Sequence, residues 1–354
     1  MKKVPVYLIL TCTVALILSM FSGCVSTADS SAEYTLHEHI EQFIAQSGGF
    51  SGAVLVMQGG KVIFGETFGV SNPETLTYIT LDTPFPIMDP SKMLTATAIL
   101  LLEMDGKLDT SDTLDNFVSG HDNLRYLSVS HLLSKNGGFG GSTPFMRNFI
   151  ADADYVRNMT PLEFEPYVIT HWRGGALDVP YASMDYWVLG RVIEQTSGMA
   201  YEEFIQTRIF EPLGMENSGF LDTLEAIALP LQIPIHFQDT WLNLERAEHF
   251  PFFLYYSFAG IVTSANDFAL WMDAFFSGKL FPEYMLGQIN NGNFNYGWMF
   301  HDSGLWYYSE GGFFGGNVVY CPDSDTKIIV LSNLSSAWNL ANFITKVVLG
   351  ISIY

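Results

Sequence analysis

Gly52-Ala53-Val54-Leu55-Val56-Met57, then Gly59-Gly60, then Lys61-Val62-Ile63-Phe64 reads as two β-strands joined by a glycine turn. Upstream, residues 33–46 place Leu36, Ile40, Phe43 and Ile44 on one face, the spacing of an amphipathic helix. Downstream, Thr95 to Met104 is apolar nearly all round and ends at Asp105-Gly106, which predicts a buried helix with a glycine stop. Between about residues 110 and 250 the signals are mainly helical, broken by proline- and glycine-rich loops. Asn317 to Tyr320 and Lys327 to Leu331 are strand-like, and a last helix is expected near Ala337 to Val348. Strands, a helical block, strands and a terminal helix predict one α/β domain with a helical insertion.

The composition narrows the function classes. Of 354 residues, 48% are hydrophobic and only 15% charged, so the chain has ample material for a core and is not a disordered polyanion. A formal charge of −21 argues against nucleic acid as a partner, because such binders need clustered cations. Three cysteines make no disulfide framework, and Cys321 is expected to be an inert core thiol.

The N-terminus reads as an address. Lys2 and Lys3 precede an apolar run from Val4 to Phe21, as in a secretory signal. Phe21-Ser22-Gly23-Cys24 resembles a bacterial lipoprotein cleavage box, in which the cysteine receives the lipid. Residues 1–23 are therefore expected to be a lipoprotein signal peptide and 24–33, rich in Ser, Thr and Ala, a flexible tether. An uncleaved membrane-spanning anchor is the alternative, and it gives the same topology. The body is expected outside the cytoplasmic membrane, lipid-anchored through Cys24.

Several segments together carry a resemblance. Phe50 to Val56 with Gly60-Lys61-Val62, then Ala98 to Leu108, then His131-Leu132-Leu133-Ser134 resemble the penicillin-binding, class C β-lactamase-related serine hydrolases. The run Phe210 to Phe220, FEPLGMENSGF, is the most distinctive match. Thr263 to Phe268 and Tyr296-Gly297-Trp298 follow in the expected order. The resemblance spans residues 34–354. It implies an α/β (α+β) fold of the β-lactamase/transpeptidase type: an antiparallel sheet flanked by N- and C-terminal helices, with an inserted mainly helical domain. The α/β part is placed at about 34–88 and 255–354, and the helical part at about 89–254.

That family's chemistry, by resemblance, rests on three motifs meeting in one cleft. Ser-x-x-Lys places nucleophile and proton acceptor on one helix face. Tyr-x-Asn assists proton transfer and holds the substrate amide. Lys- or His-x-Gly lines the cleft beside an oxyanion-hole N–H. This sequence departs from all three. Phe85-Pro86-Ile87-Met88-Asp89-Pro90-Ser91-Lys92 puts Asp89 in the nucleophile slot, with Lys92 three residues on. Tyr181-Ala182-Ser183 keeps the tyrosine and has Ser183 for the asparagine. Ser309-Glu310-Gly311-Gly312 keeps the glycines and loses the cation. Ser91 is no substitute: on a helix it lies about 100° from Lys92 and about 200° from Asp89.

Asp89 admits two readings. Asp-Pro at a helix start suits an N-cap with proline at the first helical position, and the carboxylate can pair with Lys92 one turn on. Alternatively Asp89 serves as a general base or a carboxylate nucleophile. An acyl-aspartate is an anhydride and a lysine-clamped carboxylate a poor base, so the structural reading is preferred. Leu36-His37-Glu38-His39 is no metal motif, since histidines two apart do not share a helix face. No metal or cofactor is expected. His131 is read as packing, and the Phe252 to Tyr256 aromatics as core in preference to a ligand groove.

Three functions follow. The first is a membrane-tethered pseudoenzyme of the hydrolase family that binds a peptide, a peptidoglycan fragment or a partner protein in its cleft. The second is an active hydrolase of esters, amides or cell-wall peptides using Asp89, Lys92 and Tyr181. The third is a structural envelope lipoprotein with a vestigial cleft.

Overall fold

The apolar runs at 52–57 and 327–331 alternate very little, and the structure shows why: they are neighbouring strands buried on both faces. The computed structural model describes residues 28–47, 49–72, 76–139, 159–170, 183–221, 235–237, 240–242, 252–289, 294–308, 315–333 and 337–353. The expected signal, Cys24, Tyr181 and Ser309 to Gly312 lie outside them.

In chain order come helix α1 (Ala28–Gln46), strands β1 (Gly52–Gln58), β2 (Lys61–Phe68), β3 (Val70–Asn72), β4 (Thr77–Tyr78) and β5 (Phe85–Pro86). Helices α2 (Ser91–Met104), α3 (Val129–Leu133), α4 (Pro161–Thr170), α5 (Ser183–Ser197) and α6 (Tyr201–Ile205) follow. Then come β6 (Gly219–Phe220), β7 (Ile235–Phe237), β8 (Thr240–Leu242), α7 (Phe252–Ala259), β9 (Ile261–Thr263), α8 (Ala265–Phe276) and α9 (Leu286–Ile289). The chain closes with β10 (Phe294–Asn295), β11 (Trp298–Phe300), β12 (Trp306–Tyr308), β13 (Gly315–Cys321), β14 (Thr326–Ser332) and α10 (Ala337–Leu349).

Seven strands form one antiparallel sheet in the order β10-β11-β12-β13-β14-β1-β2. In its centre Val54 pairs with Val330 and Leu55 with Ile329. Successive residues then go to opposite faces. Val54, Val56, Ile328 and Val330 join Leu36 and Ile40 of α1 and Leu340 and Ile344 of α10. Ala53, Leu55, Met57, Ile329 and Leu331 join the larger cluster that contains α2, α5 and α8. Helices therefore cover both faces, which is the condition for strands without polar alternation. On α10 the buried residues Ala337, Leu340, Ala341 and Ile344 keep the helical period that marks a one-faced surface helix.

The middle of α2 is different. Every residue from Ser91 to Leu102 is buried, so this helix is a central post between the sheet and the helical layer. Its polar members are satisfied internally: Thr95 Oγ1 lies 2.8 Å from the Tyr201 hydroxyl, and Thr97 Oγ1 donates to Met93 O at 2.8 Å.

The FEPLGMENSGF run earns its distinctiveness by joining two elements. Phe210, Leu213, Met215 and Phe220 are buried. The Asn217 N–H and the Ser218 hydroxyl donate to Asp267 Oδ2 at 2.6 and 2.8 Å. Asp267 sits in the first turn of α8, where Ser264 is the N-cap and accepts the Asp267 N–H. The Thr263 to Phe268 segment and the FEPLG run thus lock each other.

Some boundaries differ from expectation. α1 begins at Ala28, not Glu33, which takes helix into the expected 24–33 tether. α2 begins at Ser91, one residue after the Pro90 that the Asp-Pro reading placed first in the helix, and the apolar run read from Thr95 is its interior. Within 89–254, β6 leaves the helical layer to pair with β9, beside β5 in a three-stranded sheet. Within 255–354, the long helix α8 covers the large sheet near β14 and β1.

Candidate active site

The site is built where β5 runs into α2. Ile87 N–H donates to Ile261 O at 3.1 Å, and Ile87 O accepts Gly316 N–H from β13 at 3.1 Å. These bonds fix the approach to Asp89. Met88 then takes a left-handed backbone conformation, φ 56°, which costs a non-glycine residue about 1 kcal/mol or more and marks an over-determined position. The backbone turns sharply, with the Ser91, Lys92 and Met93 N–H groups donating to Met88, Asp89 and Pro90 carbonyls at 2.8, 3.0 and 3.0 Å.

The N-cap expectation for Asp89 is corrected. Pro90 occupies the N-cap position, in helical conformation, and makes no side-chain cap bond. The Asp89 carboxylate is directed elsewhere: Oδ2 accepts the Tyr308 hydroxyl and pairs with Lys92 Nζ. Asp89 and Lys92 are both buried, Lys92 completely. The ammonium rests against the carboxylate without aligned hydrogen-bond geometry, and among the described residues no other acceptor reaches it. Its remaining surroundings are aromatic, with the Phe258 and Tyr308 ring centroids 5.4 and 5.7 Å away. A buried ammonium needs an anion, and in this chain Asp89, three residues earlier, supplies it.

Ser91 is accounted for. Its Oγ accepts the Ile261 N–H at 3.1 Å on the far side of the helix, holding α2 to β9. Ser183 is buried at the first position of α5, and α5 packs along α2. The second- and third-motif positions Tyr181, Ser309, Glu310, Gly311 and Gly312 lie outside the described residues.

Two residues of the site escaped the motif reading. Tyr308, the last residue of β12, is buried with its hydroxyl on Asp89. Lys135 follows the His131 to Ser134 run, is half-buried, and holds its Nζ 5.5 Å from the Tyr308 ring centroid. It too has a left-handed backbone, φ 56°. The only sequence signal was adjacency: Tyr308 directly precedes Ser309, and Lys135 directly follows Ser134.

Tyr296-Gly297 makes a left-handed two-residue turn between β10 and β11, φ 50° and 86°. The turn meets the start of α2 so closely that a Cβ on Gly297 would lie 2.6 Å from Met93 N. His131 is exposed, correcting its assignment to packing; its Nδ1 accepts the Ser128 N–H at 3.0 Å and closes a capping box on α3. Leu254, Tyr256 and Phe258 of the aromatic run are buried in the main cluster, and Cys321 is a buried free thiol ending β13.

A family profile described as Beta-lactamase matches residues 36–341. The chain belongs to the Beta-lactamase family. It is 25% identical over 310 residues to a protein named putative penicillin-binding protein PbpX of Bacillus subtilis, covering 84% of this chain and 74% of that one. It is also 25% identical over 278 residues to penicillin-binding protein 4* of the same organism, covering 72% of this chain and 60% of the relative. Among solved structures, the octameric penicillin-binding protein homologue from Pyrococcus abyssi superposes with a TM-score of 0.74 at 21% identity, over 90% of this chain and 77% of its own. A D-amino acid amidase from Ochrobactrum anthropi gives 0.71 at 17% identity, over 89% and 98%. At these identities the structural likenesses speak for fold. Family and fold, an α/β arrangement with an antiparallel sheet and many helices, therefore agree with the sequence resemblance, and the chain is a β-lactamase-related serine hydrolase by family.

Proposed function

We propose that this family member is a membrane-tethered, extracytoplasmic protein whose cleft binds a peptide, peptidoglycan fragment or partner protein without forming a serine acyl-enzyme. The observation that carries the reading is the Asp89 carboxylate, standing in the nucleophile slot and clamped by Lys92 and the Tyr308 hydroxyl. Acyl transfer in this family, by the resemblance of its motifs, needs a serine oxygen whose proton the lysine accepts. Here the lysine is occupied by a carboxylate that has no proton to give and that makes an unstable anhydride if acylated.

Hydrolysis through Asp89 would use a carboxylate that already holds two donors, which weakens it as base and as nucleophile. Tethering is attributed to a lipid on Cys24. The relatives named for penicillin binding and for D-alanyl-D-alanine carboxypeptidase activity make cell-wall peptides the first ligands to test.

The test is equilibrium binding of soluble cell-wall fragments to the full chain, with Ser309→Trp as a blocked-cleft control. Saturable binding lost in Ser309→Trp, without turnover of the fragment, supports the reading. Turnover that vanishes in Asp89→Ala overturns it in favour of an active hydrolase. No saturable binding of any fragment or other envelope component overturns it in favour of a structural envelope lipoprotein.

A further inference from the structure

Two residues beyond Ser183, α5 carries Asp185, a completely buried carboxylate that no motif assigns. Both of its oxygens are used: Oδ2 accepts the Gly137 N–H at 2.8 Å and Oδ1 the Phe139 N–H at 3.0 Å. Gly137 is required by this contact, because a Cβ there would lie 2.8 Å from Oδ1. One residue further, Tyr186 donates its hydroxyl to Leu133 O at 2.8 Å. The start of α5 therefore grips the 134–139 loop at both ends. Between those anchors sits Lys135, left-handed, half-buried, and over the ring whose hydroxyl binds Asp89. Lys92, the other ammonium beside Tyr308, is fully buried, so Lys135 is the one of the two that a molecule arriving from solvent can meet.

We propose that Asp185 is a positioning residue of the cleft: by accepting the Gly137 and Phe139 amides it docks the 134–139 loop on α5 and sets Lys135 as the cation that recognises a carboxylate of the ligand. The ligand clause rests on the binding function proposed above; the docking clause stands without it.

The carboxylate suits this grip because it is acceptor-only: each oxygen takes one backbone N–H, and the amide of Asp185→Asn would face one of them with a donor of its own. Burial, opposed by those two hydrogen bonds and by the Lys135 charge, pushes the Asp185 carboxyl up to about 7, so the comparison is made at pH 8.5, where the carboxyl is ionised.

The experiment is acetylation footprinting of the full chain, reading Lys135 by peptide mass spectrometry as a ratio to exposed Lys107. It is run at pH 8.5, on wild type, Asp185→Asn and Gly137→Ala, with acetate or chloride at equal ionic strength, and a cooperative thermal transition shows that each protein is folded. Docking predicts a Lys135 ratio several-fold higher in Asp185→Asn, and in Gly137→Ala, whose Cβ would lie 2.8 Å from Oδ1, than in wild type. Carboxylate recognition predicts that acetate protects Lys135 of the wild type at least threefold over chloride, with protection lost in Asp185→Asn. A ratio unchanged in both variants overturns the docking. No acetate protection in the wild type overturns the carboxylate clause. Neither readout depends on cell-wall fragments, so their failure to bind would count against the proposed function alone.

Discussion

Asp89 and Lys92 carry the chemical identity of this chain, and they are coupled. Removing one partner leaves a buried charge without compensation, an effect of about 3–5 kcal/mol, whereas replacing both with apolar groups is close to neutral. Asp89→Ala is expected to lower the unfolding free energy by that amount, read as a lower urea midpoint, and Asp89→Ala with Lys92→Met to recover most of it. Equal midpoints for wild type and Asp89→Ala would show that the pair contributes nothing. This pairing was readable from the spacing of two residues three apart. Tyr308, whose hydroxyl binds Asp89, was not, because it reaches the pair across the fold from a separate element, and Lys135 meets the Tyr308 ring from another. Asp89 was expected to cap α2, as the local Asp-Pro sequence favours; a tertiary hydroxyl and ammonium outcompete the helix end for its carboxylate.

At the scale of elements, single carboxylates join α5 to the 134–139 loop and the FEPLG run to α8. Asp185 has a folded-state pKa of about 7 against an ordinary 3.8. Between those values the folded chain keeps a proton that the unfolded chain has released. Its stabilising contribution is therefore full below pH 3.8 and is lost as pH rises through about 7, by about 4 kcal/mol. Asp185→Asn should flatten that part of the stability profile measured by urea unfolding between pH 4 and 8; an unchanged slope would contradict it. Asp267, which accepts from Asn217 and Ser218, supports a second junction. Asp267→Ala is expected to cost about 2–3 kcal/mol, the range for hydrogen bonds to a charged group, read as a drop in thermal midpoint.

Legibility at this scale followed element length and burial. The β1–β2 hairpin, the β13 and β14 strands and α10 were visible because seven or more residues repeat a pattern imposed by one or two covered faces. The pairs β3–β4 and β5–β9–β6 were not, since strands of two or three residues cannot display a period. The start of α2 was legible to within a residue from Asp89-Pro90, whereas the burial of Ser91 and Lys92 was not, since polar side chains at a helix end ordinarily face water.

For the whole molecule, the family and the layered fold were both legible, since the opening hairpin, the central helix, the FEPLG run and the closing strands fall in one order along nearly the full chain. Location is argued from the N-terminus alone: no helix among the described residues is long and apolar enough to cross a membrane. If Cys24 carries the lipid, Cys24→Ala should move the protein from the membrane to the soluble fraction on centrifugation; membrane retention would point to an uncleaved anchor. The formal charge of −21 fits a body held near an anionic surface by a lipid in place of electrostatic attraction.

The central claim is that a member of a serine hydrolase family has given its nucleophile slot to a carboxylate that neutralises the lysine. Its most direct test is the intact mass of the folded full chain after incubation with a reactive fluorophosphonate and, separately, with a penicillin. The account predicts an unmodified mass with both reagents. A single adduct mapped to one serine would contradict it and place the working nucleophile elsewhere in the cleft.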